Sequence, residues 1–103
     1  MSLPVFESED YKAYVIPAVE VGDNFGLRIF DSEEKVIVEM LISKTAVAVS
    51  SNDVTEENVY NYLWEWGKAR ADKKGSPVKL KIYQDNVNAN KLVGSVEEIE
   101  LLN

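Results

Sequence analysis

Four aromatic side chains alternate with other residues between Tyr60 and Trp66, and they are the groups in this sequence best suited to recognise a partner. Tyr60, Tyr62, Trp64 and Trp66 include both tryptophans of the 103-residue chain. Tryptophan and tyrosine carry much of the binding energy of protein interfaces. They also fill ordinary cores and line small-molecule sites. The stretch therefore has three alternative roles: a core, a partner surface or a ligand site.

Catalytic chemistry is restricted because the sequence contains neither histidine nor cysteine. A Ser-His-Asp triad and a Cys-His dyad are both impossible within one such chain. A typical zinc site would also lack its ligands. Clustered carboxylates such as Asp31, Glu33 and Glu34 are typical of solvated turns, and nothing in the sequence gives two of them opposed environments for acid catalysis. We therefore expect no enzyme, no catalytic residue, no cofactor and no metal site.

The net charge of −7 is distributed unevenly along the chain. Residues 1–67 carry a net charge of −9, whereas residues 68–81 carry +5. An acidic body repels nucleic acid and anionic membranes, so the basic segment is the part that could attract them. Weak nucleic-acid contact through Lys68, Lys73 and Lys74 is one alternative. We favour a structural role, in which some of these lysines complement the C-terminal end of a helix and others line the solvated face of a strand. We therefore expect no appreciable nucleic-acid binding at physiological salt.

Length and composition indicate one soluble domain covering residues 1–103. Apolar residues make up 46% and charged residues 28%, which is ordinary for a globular protein. No apolar run approaches the roughly 18 residues of a membrane span, and the N-terminus does not resemble a signal peptide. Disulfide-forming cysteines would indicate an oxidising compartment, and the sequence has none. We therefore expect a cytoplasmic protein without membrane contact.

The hydrophobic pattern predicts an α+β fold of order β-β-β-β-α-β-β. We expect a mostly antiparallel sheet of about five or six strands with one long helix on one face. "QDNVNAN" is predicted to be a loop; its asparagine spacing echoes a calcium loop, but Lys91 stands where glycine is needed. The predicted strands are Tyr11–Val21, Leu27–Phe30, Val36–Ile42, Ala46–Val49, Val78–Tyr83 and Leu92–Leu102.

Parity along the last two strands predicts a charge-paired hairpin. If Val78 shares a face with Ile99, then Lys79 and Lys81 share the other face with Glu98 and Glu100.

Capping signals predict a helix over residues 55–74. Thr55 can accept a hydrogen bond from an orphan amide at the helix start. Glu56 and Glu57 suit the first turn, and Lys73 suits the last. Gly75 is predicted to take the left-handed conformation that ends the helix.

At about 100° per residue, the apolar side of this helix spans roughly 200°, about twice the minimum stripe of an amphipathic helix. A single sheet covers one face, so one edge needs another cover: the N-terminal segment "LPVFESEDY", a second subunit or a bound molecule. We predict that Trp66 lies in the core and Trp64 at its rim, with partner contacts made by Tyr60, Trp64 and Ala71.

These features predict a non-catalytic protein-interaction or assembly module that self-associates, as a homodimer, through the aromatic helix 55–74. The alternative is an apolar small-molecule binder or small enzyme with a pocket beside Tyr60 and Trp64. Weak nucleic-acid contact through residues 68–81 is third.

Overall fold

A computed structural model describes residues 3–44, 55–88 and 91–101, with side chains described outside residues 83–88 and 91–96. Within these residues, six strands form one sheet in sequence order, so the predicted α+β class is confirmed. The elements are β1 Phe6–Glu7, β2 Lys12–Val15, α1 Ala18–Val21, β3 Asn24–Phe30, β4 Val36–Ser43, α2 Glu56–Asp72, β5 Val78–Asn88 and β6 Lys91–Glu100.

The sheet is mixed because α2 lies between β4 and β5 in the chain. Strands β1 to β4 form an antiparallel meander, and β5 and β6 form an antiparallel hairpin. The pair β4–β5 is parallel, with Met40 opposite Leu80. Parallel neighbours require a long crossover, and α2 provides it. The helix is therefore placed over the middle of the sheet by the connection itself.

The core lies between α2 and one face of the sheet. Side chains alternate across a strand, so every second residue of β3, β4 and β5 points towards the helix. From α2, Val59 and Leu63 are fully buried against this face. The buried sheet residues are Ala13, Leu27, Ile29, Val38, Met40, Ile42, Val78, Leu80 and Ile82.

Gly67 allows α2 to lie close to the sheet. A Cβ atom at this position would overlap Ile29 Cδ1 and would lie 2.8 Å from Met40 Sδ. Glycine is unfavourable inside a helix by about 1 kcal/mol relative to alanine, so its presence here has a packing reason.

The predicted start of α2 is confirmed, whereas its predicted end is wrong in one respect. Thr55 Oγ1 accepts a hydrogen bond from the Asn58 amide at 3.2 Å. At the other end, Lys74 takes the left-handed conformation with φ of 53°, and Gly75 does not. Gly75 instead leaves room for Arg70, since a Cβ atom there would lie 2.9 Å from Arg70 Nη1.

Two predicted elements in the described regions are wrong. Residues 11–21 do not form one strand: β2 ends at Val15, and Pro17 stands at the N-cap of α1. Proline has no amide hydrogen to donate to a ladder but suits a helix start. The predicted loop "QDNVNAN" is largely strand, because β5 continues to Asn88 in register with β6. The predicted strand Ala46–Val49 lies outside the described residues.

The faces predicted for the last hairpin are wrong. Leu80 is opposite Glu98, and Lys79 is opposite Ile99. Glu98 therefore lies on the α2 side of the sheet and does not share a face with Lys79 and Lys81. Arg70 of α2 is consistent with this placement, since its Nη2 donates to Glu98 Oε1 at 2.8 Å. A one-residue slip would move Glu98 to the opposite face and break this bond.

Candidate interaction surface

The N-terminal segment covers one edge of α2. The ring of Phe6 stacks on Trp64 with centroids 5.4 Å apart and planes 9° from parallel. Lys68 Nζ lies 4.9 Å from the centroid of the Trp64 ring. These contacts leave Trp64 only 7% exposed. The N-terminal segment, one of the three covers expected for the wide apolar side of the helix, therefore covers the Trp64 edge.

A second contact attaches the N-terminal segment to the end of α2. The hydroxyl of Tyr11 donates a hydrogen bond to Asp72 Oδ1 at 2.9 Å. The hydrogen bond to the Asp72 carboxylate raises the pKa of Tyr11, with smaller contributions from burial and from nearby negative charge. β1 and the loop after it are thus anchored at two points along the helix.

The two tryptophans occupy the reverse of their predicted positions. Trp64 is buried, whereas Trp66 is half-buried and makes an edge contact with Tyr62, with centroids 5.4 Å apart. Burial raises the pKa of Tyr62. Helical angles alone predicted Trp66 in the core and Trp64 at its rim, but they contain no information on the stacking of Phe6 over Trp64.

Beside Tyr60, the covered edge opens into a small apolar cleft. Its volume is about 260 Å³, and it is lined by Val5, Phe6, Val15, Glu57, Tyr60 and Asn61. Val5 is 50% exposed and Val15 is 38% exposed, although both are apolar. Tyr60 is held from behind by an edge contact with Phe25, and burial is the main cause of its raised pKa.

Only one of the three residues predicted to contact a partner opens onto this cleft. Tyr60, Trp64 and Ala71 follow helical spacing along one edge of α2, as expected. Ala71 packs against the core and Trp64 lies beneath Phe6, so Tyr60 alone lines the opening. Val5 and Val15, which also line the cleft, were not predicted from the sequence. Val5 belongs to the N-terminal segment "LPVFESEDY", which was expected to be one possible cover of the helix. Its exposure depends on how this segment packs against α2, which the sequence does not show.

The basic segment does not form a single surface. Lys68 pairs with Glu65 at 3.3 Å, and Arg70 pairs with Glu98 at 2.8 Å. Lys73 and Lys74 are exposed at the end of α2. The remaining lysines of the segment, Lys79 and Lys81, lie on the opposite face of the sheet, by the alternation of β5. This dispersion weakens the nucleic-acid alternative, which needs a continuous positive track.

A larger concavity lies on the open face, by which we mean the sheet face opposite α2. Its volume is about 480 Å³. Tyr14 and Phe30 meet edge to face there, 5.4 Å apart. Arg28 beside them pairs with Glu20 at 3.1 Å and with Glu39 at 3.7 Å. The charges at this concavity are thus partly neutralised by neighbours.

Among the side chains that the structure describes, no group of three or more histidine, cysteine or acidic residues could hold a metal ion. None of the described helices is long and apolar enough to cross a membrane. No protein-family model, curated protein or solved structure matches the chain.

Proposed function

We propose that the protein is a non-catalytic interaction module that receives an apolar side chain of a partner protein in the cleft beside Tyr60. The observation that supports this is the exposure of two valines, Val5 and Val15, around a half-buried tyrosine of α2. Aromatic residues that are fixed in place and ringed by apolar side chains are typical of interface anchor sites.

Charge indicates which partner the cleft prefers. Glu57 lines the cleft, and Glu56 precedes it in the first turn of α2. Residues 1–67, which contribute every lining residue, carry a net charge of −9. An apolar anchor flanked by lysine or arginine would therefore be attracted, and one flanked by acidic residues would be repelled.

Size favours a side chain over a free ligand. Typical small-molecule sites occupy about 300–1,000 Å³ and bury most of the ligand. The cleft is about 260 Å³ and open, which suits one or two side chains presented by a larger chain.

Self-association through Tyr60, Trp64 and Ala71 of the aromatic helix 55–74, as the sequence suggested, has less support. Trp64 lies beneath Phe6 and Ala71 packs against the core, so Tyr60 is the one of the three that lines the cleft. The proposed interface is therefore restricted to the edge at Tyr60.

The proposal can be tested by titrating the labelled protein with two short peptides, followed by NMR chemical shifts. One peptide carries a leucine pair flanked by lysines, and the other carries the same pair flanked by glutamates. We expect shifts at Val5, Val15 and Tyr60 with the lysine peptide and weaker binding of the glutamate peptide. Tyr60→Ala should abolish the response, whereas Tyr14→Ala on the open face should preserve it. Binding that survives Tyr60→Ala would disprove the assignment of this cleft.

Small-molecule binding is a second candidate, and the volume of the open-face concavity favours it. At about 480 Å³ it falls within the usual range of ligand sites. Its aromatic pair Tyr14 and Phe30, with Arg28 alongside, would suit a planar molecule that carries a carboxylate. Titration with benzoate should shift the Arg28 and Phe30 resonances, and Tyr14→Ala should weaken the response. Unchanged spectra at millimolar benzoate would count against this candidate.

A further inference from the structure

The strand β6 forms an edge of the sheet and is long for that position. It covers Lys91–Glu100, whereas the other edge strand, β1, covers only Phe6–Glu7. Among the described residues, no strand pairs with the outer side of β6. Long edge strands present a row of unpaired backbone groups, which template pairing with another chain.

The direction of the free backbone groups can be deduced from one hydrogen bond. The amide of Leu101 donates to the Pro77 carbonyl at 2.8 Å and therefore points inward. Successive amides along a strand alternate in direction. The amides of Glu100, Glu98 and Val96 must then point away from β5.

The hairpin also projects beyond the described part of β4. Among the described residues, β4 pairs with β5 over Val78–Ile82 only. Within the same part of the chain, the rest of β5 up to Asn88 pairs with β6 alone. An isolated two-stranded ribbon is marginally stable in water, so a third strand alongside would stabilise this one.

We propose that a second copy of the chain pairs its β6 antiparallel to this β6, joining the two six-stranded sheets into one. Such a contact is two-fold symmetric and therefore closes as a dimer. The outward amides belong to the even-numbered residues of β6. The two copies can therefore form hydrogen bonds only in registers that place even-numbered residues opposite even-numbered residues. A register centred on Gly94 satisfies this condition.

Charge complementarity identifies the occupant as a second copy. Glu97, Glu98 and Glu100 occupy one end of β6, and Lys91 occupies the other. In the register centred on Gly94, Lys91 of each copy is opposite Glu97 of the other. A parallel arrangement would bring the acidic ends together, and like charges across a ladder destabilise it. This inference does not depend on the Tyr60 cleft.

The test is sedimentation velocity over a range of protein concentrations. We expect the wild type to form a dimer. In Val96→Pro, which deletes two symmetry-related hydrogen bonds, Kd should rise roughly tenfold or more. Val96→Ala keeps the amide and should dimerise as the wild type does. Tyr60→Ala should also leave the dimer intact, which separates this inference from the proposed function.

Cross-linking provides a second measurement that does not depend on the proline variant folding. The chain has no cysteine, so Gly94→Cys introduces a single thiol. Directly opposed residues of a hydrogen-bonded antiparallel pair have Cα atoms about 5.5 Å apart, within disulfide range. Oxidation should link the two copies of Gly94→Cys covalently, whereas Ser76→Cys, whose thiol lies outside β6, should form no disulfide-linked dimer. A wild type that is monomeric at every concentration, or a Gly94→Cys protein that forms no more covalent dimer than Ser76→Cys, would overturn the inference.

Discussion

Phe6 lies flat on Trp64, with ring centroids 5.4 Å apart and planes 9° from parallel. β1 contributes only two residues to the sheet, so its backbone pairing alone holds it weakly. The aromatic contact gives this short edge strand a second attachment, to the helix rather than to the sheet. It also keeps the Trp64 edge of α2 from water.

Removing the stack should therefore expose Trp64 and destabilise the fold. Phe6 is half-buried, so Phe6→Ala should cost about 1–3 kcal/mol, less than a core phenylalanine truncation. Urea unfolding gives the free energy, and a red shift of native tryptophan emission reports exposure of Trp64. Val5→Ala, at a half-exposed neighbour, is the control and should change neither. An unshifted emission spectrum in Phe6→Ala would show that the stack does not protect Trp64.

The two tryptophans should differ in their contribution to stability. Trp64→Ala removes a buried ring and should cost roughly 3–5 kcal/mol. Trp66→Ala removes a half-buried ring and should cost less, about 1–3 kcal/mol. This order is the reverse of the one that the sequence predicts. Urea unfolding of both variants decides it, and a larger loss in Trp66→Ala would favour the sequence-based assignment.

The helix start depends on Thr55. Thr55→Ala loses the acceptor for the Asn58 amide and should cost about 1 kcal/mol. Thr55→Ser keeps an acceptor and should retain most of the stability. The midpoint of urea unfolding measures both. Equal losses in the two variants would mean that the threonine methyl group, rather than its hydroxyl, matters.

Gly67→Ala sets helix propensity against packing. Propensity favours alanine by about 1 kcal/mol, whereas overpacking typically costs 1–3 kcal/mol. The new methyl would overlap Ile29 Cδ1, so we expect net destabilisation. Ala69→Gly, at an exposed position of α2, measures the propensity contribution alone. A stabilised Gly67→Ala protein would show that Ile29 and Met40 can move aside.

The ion pair between Arg70 and Glu98 should make stability depend on pH. The hydrogen bond from Arg70 lowers the pKa of Glu98 from its ordinary value of 4.5. A carboxylate with a lowered folded-state pKa contributes stability above its unfolded pKa and loses it as the pH falls through the folded-state value.

The stability difference between the wild type and Glu98→Gln should therefore be largest above pH 4.5 and should shrink below it. Unfolding at a series of pH values measures this difference. Glu100→Gln removes a charge from the same strand but keeps the hydrogen bond between Arg70 and Glu98, and it serves as the control. If the difference in unfolding free energy stays constant down to strongly acidic pH, the contribution of Glu98 to stability does not depend on its charge.

Local signals in the sequence determined the long helix and the strands with clean patterns. Thr55 identified the start of α2 because capping depends on neighbouring residues only. Val78, Leu80 and Ile82 identified β5 because strict alternation reports one buried face. The α+β class followed from the order of these elements. The absence of histidine and cysteine likewise restricted the chemistry before any fold was known.

Only the tertiary structure decided the features that depend on contacts between distant residues. The sequence could not show that Phe6 would reach Trp64, 58 positions away, and so it assigned the two tryptophans in reverse. It placed Glu98 on the wrong face, because register depends on Arg70 of another element. The exposure of Val5 and Val15 also depends on how β1 meets α2. Periodicity identifies which side of an element is apolar, but only packing determines which part of that side remains open to a partner.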